Sequence, residues 1–108
     1  MLNIHYTQSG EAISDYQCEE YILKYYNNIN ERYYKDSISI YTSTELVIHT
    51  VRALIKEGKI DNEKVEFYFN GELVGKADKD GRLNNWPDGF CDCYDNILDR
   101  LLDIWGGN

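Results

Sequence analysis

The chain has 108 residues, is 43% hydrophobic with ten tyrosines, and carries 19 acidic against 11 basic side chains, a formal net charge of −8. A chain this short and this apolar predicts one domain over residues 1–108, with a single core and no room for a second. Its charge opposes direct binding to nucleic acid, where affinity depends on Lys and Arg displacing counterions from phosphates.

Residues 2–6, LNIHY, alternate as a short strand does, and TQSGEA after them is turn chemistry. Ser14 stands three residues before Gln17 in a capping-box pattern, with Ile13 and Cys18 spaced for a hydrophobic staple. A first helix is therefore predicted from Ser14 to about residue 32. Its buried face comprises Cys18, Tyr21, Ile22, Tyr25, Ile29 and Tyr33.

SISIY, residues 37–41, is β-prone and runs into Thr42, whose spacing to Glu45 repeats the capping box. The second helix is given an inner face of Leu46, Val47, Thr50, Val51, Leu54 and Ile55, and Gly58 stands where a left-handed C-terminal cap belongs. KVEFYF, residues 64–69, is joined through Asn70-Gly71 to ELVGKA, a hairpin signature, and DKDG at 78–81 turns the chain again. Asp92 is placed to cap a last helix with Tyr94, Ile97, Leu98, Leu101, Leu102 and Trp105 on its apolar face and Gly106-Gly107 at its end. The predicted order is strand, helix, strand, helix, strand, strand, helix. That order implies a small α/β domain whose mixed sheet combines parallel crossovers with an antiparallel hairpin.

The chemistry-bearing residues do not assemble a known constellation. Cys91 and Cys93 form a C-x-C pair, and Cys18, His5 and His49 are scattered without the paired spacing of a zinc site. Acidic neighbours raise rather than lower the two thiol pKa values, which disfavours redox chemistry. An odd cysteine count fits free thiols in a reducing compartment. Asp78-Lys79-Asp80-Gly81 lacks the glycine and glutamate positions of an EF-hand loop. No Walker A loop or dinucleotide fingerprint is present. No cofactor or metal is expected, and neither histidine has a nucleophile paired with it in sequence. The N-terminus MLNIHYTQSG has no signal-like block and no apolar run reaches about 18 residues, so a cytoplasmic location without membrane contact is expected.

One resemblance is carried by residues 37–92. The segment resembles the C-terminal end of predicted AAA/ABC-type ATPases related to the overcoming-lysogenization-defect family, found in anti-phage defence loci. In that group a strand leads into a T-H-S-E-x-L switch, a helix ends near I-x-x-G-K, and a closing block reads G-R-x-x-x-W-P-x-G-F-x-D. Thr42, Glu45, Leu46, Arg52, Gly58, Lys59, Asp80, Gly81, Arg82, Trp86, Pro87, Gly89, Phe90 and Asp92 fall on those positions. ISDYQCEEYI is similar to the segment that follows the Walker B strand in the same group. Ser43 stands at the switch histidine position, His5-Tyr6 replace the Walker B acidic pair, and the P-loop half is missing. The resemblance thus implies an ATPase-type lobe without ATPase chemistry.

Three readings follow. The first is a non-enzymatic protein-interaction module, acting as an accessory subunit or a phage-borne mimic of such an ATPase. Its partner-binding residues would be Trp86, Pro87, Asp88, Phe90, Asp92, Asp95 and Asp99, facing an ABC-type ATPase or a basic protein. The second is an acidic inhibitor of a nucleic-acid-handling protein, with Asp88, Asp92, Asp95, Asp99 and Asp103 aligned as phosphate mimics. The third is a small enzyme whose site assembles only in the fold.

Overall fold

A computed structural model describes residues 1–31, 37–85, 87, 88 and 90. Its strands are β1 (Leu2–Glu11), β2 (Ile38–Thr42), β3 (Val65–Phe69) and β4 (Glu72–Gly75), with helices α1 (Cys18–Glu31) and α2 (Glu45–Lys56). The sheet order is β2-β1-β3-β4. Strand β1 runs parallel to both of its neighbours, and β3 and β4 are antiparallel. This is the small mixed α/β sheet that the sequence predicts. The last helix, expected from Asp92 onward, lies outside the described residues.

Period-two alternation divides the sheet into two unlike faces. Leu2, Ile4, Ile40, Val65 and Phe67 are buried on one face, where register places Ile4 between Ile40 and Phe67. Helices α1 and α2 pack on β1 and on each other. Cys18, Ile22 and Tyr26 of α1 join Val47, Ile48, Val51, Leu54 and Ile55 of α2 in the same core. Because α2 meets both the sheet and α1, its buried stripe is shifted from the one expected from spacing: Glu45 and Ile48 are buried, while Leu46 and Thr50 are only half-buried. Tyr26 also falls outside the expected stripe; its hydroxyl accepts the Asp61 backbone N–H at 3.0 Å. No helix among the described residues is long and apolar enough to cross a membrane.

The stops between elements follow their residues. After α2, the Gly58 N–H bonds the Ile55 carbonyl and the Lys59 N–H reaches back to Leu54, the paired bonds of a Schellman ending. In the β3–β4 hairpin Asn70 and Gly71 take φ values of 50° and 85°, the left-handed pair that a two-residue turn needs to match strand twist.

Three local expectations are corrected. TQSGEA does not end the first strand: the chain leaves the ladder with β2 after Tyr6 and rejoins it at Glu11, so both residues pair with Thr42 around an irregularity. Ser14 opens a 3-10 turn, Asp15–Gln17, and the α-helix proper begins only at Cys18. Thr42 does not cap α2. It is the buried last residue of β2, and its Oγ1 donates to the Glu11 carbonyl at 3.0 Å and accepts the Thr44 N–H at 2.9 Å. Thr44 holds the N-cap position without a side-chain cap, because its own Oγ1 accepts the Ile13 N–H at 2.8 Å. Both hydroxyls are used to tie residues 11–13 to the strand–helix junction rather than to close the helix.

Thr42→Val keeps the shape and removes both bonds, so it should destabilise the fold by about 1–3 kcal/mol, the range for stranding part-buried polar groups. Thr42→Ser keeps the hydroxyl and should cost less. Urea midpoints measured at unchanged slope would check the order of the two variants.

Candidate interaction surface

The face of the sheet opposite the helices carries a row of rings. Register pairs His5 with Tyr41 on β2 and with Tyr68 on β3. The His5 ring stacks on Tyr41 at 4.3 Å and on Tyr68 at 4.4 Å, with interplanar angles of 18° and 13°. These spacings nearly equal the distance between neighbouring strands, so the rings stand side by side and use their faces on one another. Leu73 on β4 pairs with Tyr68 and extends the row across all four strands. The two ends are open: Tyr41 is 55% exposed and Leu73 58%. Burial between the phenol rings lowers the His5 pKa, which favours the neutral imidazole in the folded state.

This row does not suit stacking by nucleobases. A single-strand binder offers free ring faces in a basic groove, whereas here the inner faces are occupied and the chain is acidic.

Leu73 also borders a shallow recess of about 560 Å3, shared with Val74, Asn84, Asn85 and Pro87. The row therefore continues into the segment singled out from sequence. Pro87 is half-buried, Asp88 is exposed, and the Phe90 N–H bonds the Pro87 carbonyl at 3.1 Å. Phe90 is fully buried, 5.8 Å from Tyr6 in an edge-on contact and 5.4 Å from Phe69. Its ring fills the core beside the middle of β1 and the end of β3, so any part it has in docking is indirect. Trp86, Asp92, Asp95 and Asp99 lie outside the described residues, as do Gly89, Cys91, Cys93 and Asp103.

A second polar assembly runs along α2. Glu45, only 8% exposed, meets His49 Nε2 at 3.3 Å, and His49 Nδ1 lies 3.0 Å from an Arg52 terminal nitrogen. The Arg52 Nε donates to the Gly81 carbonyl at 2.7 Å. Since guanidinium only donates, His49 Nδ1 accepts and its proton sits on Nε2, facing Glu45. The nitrogen that a general base would use is thereby engaged, which disfavours catalysis by His49. Arg52 and Gly81, far apart in the sequence, are thus joined by a hydrogen bond. Gly81 has φ +77°, and a Cβ there would lie 2.3 Å from the Arg52 carbonyl oxygen. No signal in the sequence announces this contact, because its partners are 29 residues apart.

Phe90→Ala should lower stability by about 3–5 kcal/mol, as loss of a buried aromatic does. A melting midpoint near the parent's would show that the ring is not a core element. A pH dependence should accompany the His5 stack. With its folded pKa held below the ordinary 6.5, His5 contributes stability that is present above pH 6.5 and lost as pH falls below it toward the folded value. His5→Phe should remove that component from the difference in melting temperature between pH 7.5 and pH 5.

Comparison of the chain with protein-family models, with curated proteins and with solved structures returns no match.

Proposed function

We propose that this protein is a non-enzymatic interaction module, built like the C-terminal lobe of a defence-type ABC ATPase and acting as an accessory subunit or a phage-borne mimic. The observation that carries the interaction reading is the row Tyr41–His5–Tyr68–Leu73, exposed at both ends and continued by the Pro87 recess. Aromatic side chains are enriched at the cores of protein interfaces because a large rigid surface is desolvated at little entropic cost. The stack supports this use: His5 and Tyr68 are already ordered by their neighbours, so docking immobilises little more. A net charge of −8 favours a partner with a basic rim and speeds its encounter at low salt. The ATPase-lobe part of the reading is supported by Gly81, Arg82, Trp86, Pro87, Gly89, Phe90 and Asp92, which fall on the closing block of that family.

The test is a paired affinity purification from bacteria that carry such ATPases, using the parent and a Tyr41→Ser, Leu73→Ser double variant. Both positions are exposed, but Tyr41→Ser gives up a stacked cross-strand ring, so a modest fall in melting temperature is expected and recovery is compared where both proteins are folded. Recovery of an ATPase by the parent, weakened at least about tenfold in the variant as for hot-spot residues, is the expected result. Equal recovery by both would remove the row from the interface. Recovery of other proteins alone would remove the ATPase assignment.

A further inference from the structure

The turn that Arg52 holds against α2 creates a recess of about 300 Å3, lined by His49, Arg52, Ala53, Lys56, Asp80, Gly81 and Arg82. Its charge runs against that of the molecule. In a chain of net charge −8, one helix face brings Arg52 and Lys56 together at a spacing of four, and the turn adds Arg82. Of the other described lysines, Lys59 meets Glu19 and Glu57, and Lys76 meets Glu63. Among the described residues, Lys56 and Arg82 have no such ion pair, and both are exposed.

The recess is fixed rather than fortuitous. Asp78 accepts the Asp80 and Arg82 backbone N–H groups at 2.9 Å each, which sets the turn and spends its carboxylate internally. The Arg52 guanidinium is held in plane by the Gly81 carbonyl and by His49. It stands on the wall of the recess, and the exposed Lys56 and Arg82 line it as well. Among the described residues that line the recess, Asp80 is the one acidic side chain.

We infer that this recess binds a phosphate-type anion, either free phosphate or a phosphoryl group on a protein side chain. Three cationic side chains from two elements suit an anion with several equivalent oxygens better than a single carboxylate. The inference is independent of the proposed docking row, which lies on the opposite face of the sheet from α2.

The experiment is an amide NMR titration of the full chain with inorganic phosphate at constant ionic strength, with chloride as the control. Saturable shifts centred on Ala53, Lys56, Gly81 and Arg82, at roughly millimolar phosphate for so open a site, are expected. Lys56→Ala with Arg82→Ala, both exposed and dispensable to folding, should weaken binding by about tenfold or more, whereas Asp80→Asn should strengthen it. A second arm uses a phosphoserine peptide and its unphosphorylated form. Tighter binding of the phosphopeptide than of phosphate assigns the site to a modified protein, and equal binding assigns it to the free ion. Shifts that do not saturate, that chloride reproduces, or that survive the double substitution would overturn the inference.

Discussion

The central position of β1 is the constraint on which the rest of the molecule depends. Because its Leu2–Tyr6 stretch is hydrogen-bonded to β2 on one side and β3 on the other, its alternation decides both faces of the sheet at once. Leu2 and Ile4 enter the core with Ile40, Val65 and Phe67, and the same register aligns His5 with two tyrosines on the far side. A slip of one residue would exchange those sets and place a histidine among the aliphatic side chains. The core and the candidate docking row are thus two consequences of one register.

The order of the described elements is legible because it rests on local signals. Alternation marked the strands, three-to-four spacing marked α1 and α2, and Asn70-Gly71 and Gly58 marked the stops. Thr42 shows where such signals fail. Its spacing to Glu45 is that of a capping box, yet pairing with β1 takes its hydroxyl to the Glu11 carbonyl instead. A tertiary bond outcompeted the local one, and a sequence pattern contains no term for that competition.

The site was less legible than the fold for the same reason. Trp-Pro-x-Gly-Phe drew notice as an unusual string, but the core position of Phe90 depends on Tyr6 and Phe69, which are far from it in sequence. The His5 row could be found only once strand order was known, since Tyr41, His5 and Tyr68 look like unrelated surface residues along the chain. Arg52 and Gly81 likewise belong to separate motifs until α2 and the 78–82 turn are brought together. What these contacts share is a long sequence separation, and periodicity carries no information at that range.

On the function proposed above, a partner covers the open sheet face in the cell. Tyrosine footprinting in intact cells tests it directly, with Tyr16, 84% exposed near the start of α1, as the internal reference for Tyr41 at 55%. Tyr41 should be modified more slowly in cells than in the purified protein while the rate at Tyr16 is unchanged. Equal rates at Tyr41 in the two settings would contradict it.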